Sequence, residues 1–440
     1  MGKVAYLGVS SFFALLMFTL FGPEAMAEEA LPVDTGDNAW MLCSSALVLI
    51  MTPGVAFLYG GIAREKDATN ALWMSFIVIC IVSVAWVLWA YSLAFAPGGN
   101  FFIGNLEWAA LGIGAVGQEP SDIYASTIPH LTFMIFQAMF AIITVALASG
   151  STVGRLKFTA WLLFIPLWLS AVYSPVAHWV WGSNGWLGSG LGAMDFAGGT
   201  VVHITSGTAA LILCLFLGRR REVKPPHHAG YYLIGTTFLW FGWFGFNAGS
   251  EVAADGLAAS AFVVTNTATG AAGFTWFVCE WAHHGKGTLL GACSGAVAGL
   301  VAITPASGFV GPMSSIAIGV GAGLVCYYSS AYMKKALGYD DASDVVGIHA
   351  MGGTWGAFAT GLFANLATNP GGSQGIIFGG TAGTLGIQCI GIISSWAWSC
   401  GITAIICLII KYTVGLRAPE EDEVAGMDIS QHKEPAYSHE

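Results

Sequence analysis

The chain is poor in charge. Only 9% of its 440 residues are Asp, Glu, Lys or Arg, against about 25% in a soluble domain, which excludes an ordinary water-soluble fold. No basic stripe is present, so nothing points to nucleic acid. The nine cysteines (Cys43, Cys80, Cys214, Cys279, Cys293, Cys326, Cys389, Cys400 and Cys407) form no C-x-x-C pair, and all lie in apolar segments. They are expected to be small buried hydrophobes, with no disulfide framework and no zinc site. There is no H-E-x-x-H, the helical signature of a zinc hydrolase.

What is abundant fits lipid. Hydrophobic residues make up 55% of the chain, mean hydropathy is +0.70, and there are 59 glycines. Small residues let membrane helices approach closely. The net charge of −10 is concentrated after Arg417, where Glu420, Glu421, Asp422 and Glu423 cluster. At the other end, Lys3, an apolar run over 9–21 and Ala25-Met26-Ala27 read as a secretory signal. Residues 1–27 are therefore expected to be removed, leaving a membrane domain over 28–412 and a cytoplasmic tail over 413–440.

Long apolar stretches occur at 38–60, 70–95, 128–152, 156–180, 196–217, 229–249, 257–282, 287–304, 312–333, 345–365 and 378–411. Each is long enough to cross about 30 Å of hydrocarbon. After Lys3, every Lys and Arg falls after an odd-numbered stretch: Arg64 and Lys66, Arg155 and Lys157, Arg219 to Lys224, Lys286, Lys334 and Lys335, then the tail. The intervening connections carry none. By the positive-inside rule this predicts an all-α integral membrane fold of eleven transmembrane helices, N-terminus out and C-terminus in. The long connection over 96–127 falls outside.

Most of the ten histidines fall in connections or the tail. Two are placed within spans: His203 in Asp195-Phe-Ala-Gly-Gly-Thr-Val-Val-His203-Ile-Thr-Ser-Gly207-Thr208, and His349 in Asp344-Val-Val-Gly-Ile-His349-Ala-Met-Gly-Gly353-Thr354. Both read His-x-x-x-Gly-Thr with an acid upstream, and they lie in the fifth and tenth stretches. A motif recurring five helices later predicts two inverted five-helix repeats plus a final helix. In such folds the path lies near the midplane, between repeats. A packing role suits a lone buried histidine; a symmetric pair favours function. Aromatic clusters at Phe136-Gln137-Ala-Met-Phe140, at Trp181 and at 243–250 are either interfacial belt or cation-binding faces.

At these residues the chain resembles bacterial members of the ammonium transporter (Amt/Mep/Rh) family. The likeness covers nearly all of the mature chain. It is carried by 195–203, 243–250 and Gly347-Ile-His349-Ala-Met-Gly-Gly353, and in the tail by Gly415-Leu416-Arg417, Gly426-Met427-Asp428, His432 and Tyr437. It implies a homotrimer in the cell inner membrane, with one ammonium path per subunit and methylammonium as an analogue substrate. Phe136, Trp181 and Ser250 look like an outer recruitment site. Phe140 and Phe246 look like a phenyl gate, and His203 and His349 like twin pore histidines. Trp243 and Thr304 match further pore positions, and Asp195 matches the acid that supports the outer site without touching the ion. No cofactor, metal or enzymatic activity is implied. The tail, acidic and expected to be mobile when free, implies docking of a PII-type nitrogen signal protein.

The chemistry is consistent. Burying a bare cation costs tens of kcal/mol in the Born limit, whereas a desolvated cation–π contact returns about 2 kcal/mol. Aromatics and a hydroxyl can thus recruit ammonium at a wet vestibule but not carry it through a dry pore. A neutral imidazole can accept its proton, and potassium has none to give. The rivals are an Rh-like ammonia channel, an ammonium sensor, and an intramembrane metal hydrolase built on His203, His349 and Asp195. The last lacks a third ligand and a general base. A sensor is expected to carry a signalling domain after Arg417, where the sequence is a polar tail.

Overall fold

The structure, a computed structural model, describes residues 32–437; the expected signal over 1–27 lies outside them. Each apolar stretch is helical. In chain order the rods are α1 (Thr35–Ile62), α2 (Glu65–Phe95), α3 (His130–Thr152), α4 (Phe158–Trp168, continued by Leu169–Tyr173 and Ser174–Trp181) and α5 (Gly199–Leu217). They continue with α6 (Ala229–Ala248), α7 (Gly256–His284), α8 (Leu289–Ile303), α9 (Pro312–Leu337), α10 (Val346–Ala350, continued by Met351–Phe363) and α11 (Ala382–Thr413).

Seven of these are long and apolar enough to cross a membrane by themselves: α1 to α5, α9 and α11. That makes the chain a multi-pass membrane protein. The other four fall short for visible reasons. α8 has 15 residues, and α6, α7 and α10 dilute their apolar residues with Gly, Thr and indole side chains.

Close packing rests on glycine. A Cβ at Gly245 in α6 would lie 2.8 Å from the Ser44 carbonyl in α1, and one at Gly319 in α9 would lie 2.3 Å from the Ala268 carbonyl in α7. Dispersion between closely approached backbones is what holds helices together in lipid.

Three expectations are corrected. The all-α reading misses a two-stranded antiparallel ladder, β1 (Pro120–Ser121) with β2 (Ala125–Pro129), in the long connection. Its two prolines pair with each other, Pro120 against Pro129, and the paired stretch is too short to register as alternation. All nine cysteines are free, but Cys43 and Cys80 are exposed on outward helix faces rather than buried. The tail is docked rather than loose. Arg417 bridges Leu156 in an isolated β-pair, and its guanidinium clamps Glu423 at 2.5 and 2.8 Å. Glu423 begins the hold on the connections, its carbonyl accepting from Arg64 at 3.0 Å. Asp428 then accepts the Thr69 and Asn70 amides at 3.1 and 2.8 Å, capping α2. Much of the tail's hold is on connections hundreds of residues earlier, as with Asp428 and Asn70, which is why composition alone reads as solvated.

Candidate functional site: a column of rings ending in two imidazoles

Asp195 folds the start of α5. Its carboxylate accepts the amides of Gly198 (2.8 Å), Gly199 (2.6 Å) and Thr200 (2.8 Å), together with the Thr200 hydroxyl. Those are the amides that a helix start leaves without intrahelical partners. Gly198 takes φ +109°, open to glycine because it has no Cβ. The chain then enters a π-helical turn, Gly199–Ile204, which carries His203. Such widened turns concentrate at functional positions.

The same construction recurs at α10, and here the sequence reading needs correcting. The counterpart of Asp195 is Asp341, eight residues before His349 as Asp195 is eight before His203. Asp341 is fully buried and accepts the Val346 amide at 2.7 Å, five residues on, as Asp195 does for Thr200. Asp344, the acid the motif suggested, instead occupies the place of Gly198. It has φ +56° and pairs with Lys334. A short Asp side chain tolerates that backbone region better than most. A second π-helical turn, Val346–Ala350, then carries His349. The signal was available as an equal offset; the nearest acid concealed it.

Glycines bring the two turns together reciprocally. A Cβ on Gly207, four residues after His203, would fall 2.2 Å from the Ala350 amide nitrogen. One on Gly353, four after His349, would fall 2.9 Å from the Gly199 carbonyl and 3.0 Å from the His203 Cβ. Between them His203 Nδ1 and His349 Nδ1 lie 3.2 Å apart. One ring must donate and the other accept, so the pair holds complementary tautomers. Both rings are buried, and His203 Nε2 has no protein partner.

Aromatic rings continue the line. Phe246 lies 6.0 Å from His203 between ring centroids. Phe140 stacks on Phe246 at 4.2 Å, closing the axis. Trp181 meets Phe140 edge-on at 5.9 Å, and Phe136 flanks it at 4.9 Å. The Trp243 ring is stacked at 5.3 Å from His203, with its Nε1 donating to the Thr304 hydroxyl at 2.9 Å. Trp181 donates to the Asp195 carbonyl at 3.0 Å, so one residue orients both the indole and the start of α5. The Ser250 hydroxyl donates to the Phe246 carbonyl at 2.7 Å, leaving its oxygen lone pairs to accept.

The structure therefore brings together Phe136, Phe140, Trp181, Phe246, His203, His349, Trp243, Thr304 and Asp195. Ser250 joins them through the Phe246 backbone and through its neighbour Gly249, where a Cβ would sit 3.0 Å from the Phe136 ring. The expectation that only two histidines lie within spans is too narrow. His130 and His178 are buried as well, but each is engaged elsewhere. His130 meets the Tyr91 hydroxyl at 2.6 Å. His178 meets the Ala94 and Asn100 carbonyls at 2.9 and 2.8 Å. No cluster of His, Cys, Asp and Glu able to hold a metal exists among the described residues.

Comparison with known proteins agrees with this geometry. The Ammonium Transporter Family profile matches residues 39–437. A curated "Ammonium transporter" of Bacillus subtilis is 49% identical over 91% of this chain and 98% of its own. The crystal structure of Saccharomyces cerevisiae Mep2 superposes with TM-score 0.83 at 37% identity, covering 91% of this chain and 93% of that one. A structure titled "Sensor Amt Protein" superposes with TM-score 0.81 at 26% identity, covering 90% and 98%.

Proposed function

This chain belongs to the ammonium transporter family and transports ammonium across a membrane; we propose that the ring column is its path, with the histidine pair separating the ion from its proton. Phe136, Trp181 and Ser250 form the recruitment site at the outer mouth. Phe140 and Phe246 are the gate below it. His203 and His349 are the relay, flanked by Trp243 and Thr304. Asp195 acts by capping α5 and orienting Trp181, not as a ligand.

The observation that carries this reading is the 3.2 Å contact between two buried imidazoles at the end of a stacked aromatic gate. Stacked rings 4.2 Å apart leave no room for water between them, so an ion passing between them would lose its water there. No set of cation–π contacts at about 2 kcal/mol each offsets that loss. Ammonia crosses without the charge, and the free His203 Nε2 with the Nδ1–Nδ1 contact offers a proton route beside it. The test is methylammonium uptake with potassium competition in His203→Asp and His349→Ala. Loss of uptake or of potassium exclusion supports the relay; normal behaviour in both variants removes it.

The finer architecture follows. In this reading all eleven rods cross the membrane, N-out and C-in, which the one-sided placement of Lys and Arg supports. Two inverted five-helix repeats, supported by the reciprocal glycines and the matched Asp195 and Asp341 caps, precede α11. A membrane domain over 28–412 and a cytoplasmic tail over 413–440 result, in the cell inner membrane. A homotrimer is favoured by α7. Asn266 is exposed mid-helix beside a groove of about 480 Å³ between α6, α7 and α8, and a bare amide facing lipid is costly. Glu420, Glu421 and Val424 leave an exposed acidic edge on the docked tail, suited to a PII-type partner at the cytoplasmic face.

A further inference from the structure

Arg155 is the one arginine with no exposed surface among the described residues, and the transport reading gives it no task. It lies just after α3, on the tail side. One Nη donates to the Ser151 carbonyl at 2.9 Å and also to the Asp340 carbonyl; the other reaches the Asp340 carboxylate at 3.3 Å. Its Nε is buried without a partner. A guanidinium held this way fixes a backbone, because the short grip is on a carbonyl rather than on a charge alone.

What it fixes is the segment that caps α10. Asp340 is further held by Arg220, whose side chain approaches it at 2.7 and 3.0 Å and whose amide donates at 2.7 Å. Burial opposes ionisation there, but these bonds and the two guanidinium charges hold Asp340 down at about 2, so the clamp stays charged at any physiological pH. The next residue, Asp341, accepts the Val346 amide three positions before His349. Ser343 ties the same segment to the Gly150 carbonyl at 2.9 Å.

The backbone of Arg155 is in turn gripped by the tail. The Ala418 amide donates to the Arg155 carbonyl at 2.9 Å, and the Lys157 amide to the Leu416 carbonyl at 3.0 Å. A continuous chain of bonds therefore runs from tail strand 416–418 through Arg155 and 340–341 to the turn bearing His349. The other half meets the tail only at the far end of α5, where Arg417 donates to the Leu217 carbonyl at 2.7 Å, fourteen residues beyond His203; at the histidine's own turn the Asp195 carboxylate bonds only within 198–201.

We propose that Arg155 and Asp341 are positioning residues for His349, through which the seated tail strand sets one partner of the histidine pair while His203 stays fixed. The proposal deepens the relay reading and rests on it for its transport arm alone. Two readouts separate the two ideas.

The first is hydrogen–deuterium exchange on the full reconstituted chain in Arg155→Gln, Asp341→Asn and Ala418→Pro. The last removes a single amide donor and no charge. All three are expected to raise exchange of amides 344–348 by about tenfold and to leave 198–202 unchanged. The second is methylammonium transport. Maximal rate is expected to fall about fivefold or more with KM held within about twofold, since recruitment precedes the histidines. Where Arg155→Gln does not assemble, Ala418→Pro carries the test. Unchanged exchange at 344–348 in Ala418→Pro, equal rises in both halves, or a raised KM at full maximal rate overturns the proposal. The stated exchange pattern with normal transport in His349→Ala would uphold the positioning and remove the relay.

Discussion

Replacing Gly207 with alanine is the sharpest steric perturbation of the proposed site. The added methyl starts 2.2 Å from the Ala350 nitrogen, and relieving it to the 3.4 Å of ordinary contact needs about 1.2 Å of separation between α5 and α10. All three contacting atoms, the Ala350 nitrogen, Cα and Cβ, are backbone or immediately attached to it, so no side-chain rotation absorbs the shift. Transmitted in full to the histidines, it opens their 3.2 Å contact to about 4.4 Å, well beyond hydrogen-bond range. Overpacking of this kind costs about 1–3 kcal/mol, which a multi-pass bundle can survive. Gly353→Ala is the internal control: its closest contacts, 2.9 and 3.0 Å, need only about 0.5 Å. The assay is methylammonium uptake into proteoliposomes, normalised to folded protein. Gly207→Ala is expected to lose at least about tenfold in rate, and Gly353→Ala about threefold or less. Full uptake in a folded Gly207→Ala variant would refute the claim that the imidazole contact carries transport.

Two further outcomes follow from the same geometry. Glu251, one residue past Ser250, has its carboxyl pushed up to about 7 by burial and by the charge of Asp255. Apparent methylammonium affinity should therefore improve from about pH 6 to about pH 8 as the carboxylate forms near the proposed recruitment site, and Glu251→Gln should flatten that profile; an unchanged profile contradicts it. The same group's contribution to stability is present below its ordinary value of 4.5 and lost as pH rises through about 7. Asp195→Ala strands several buried amides and should lower stability on the order of 3 kcal/mol, read as earlier heat inactivation in detergent. Asp195→Asn, which keeps an accepting oxygen, should lose less; equal loss would mean that charge rather than capping is what matters.

Much of this was legible beforehand, for identifiable reasons. Lipid forbids unsatisfied backbone, so spans must be long apolar helices, and all eleven stretches are helical. The histidine pair was legible because its motif, His-x-x-x-Gly-Thr, is written twice in the sequence. What escaped depended on distance in sequence or on local backbone. Asp341 was hidden by the nearer Asp344, whose role follows from φ and not from its charge. The π-helical turns have no residue signature. Arg155 read as one more inward positive charge, although the structure buries it beneath a tail that begins some 260 residues later. The docking of that tail is written in pairs such as Asp428 with Asn70, which no periodicity reveals.

Electrical recording on reconstituted protein tests the central claim most directly. Ammonium and potassium pulses are applied to the parent, to His203→Asp and to His349→Ala. Proton separation and relay predict ammonium-evoked current in the parent with none from potassium, and loss of that current, or admission of potassium, once either imidazole is replaced. Equal, potassium-excluding ammonium currents in all three proteins would contradict it.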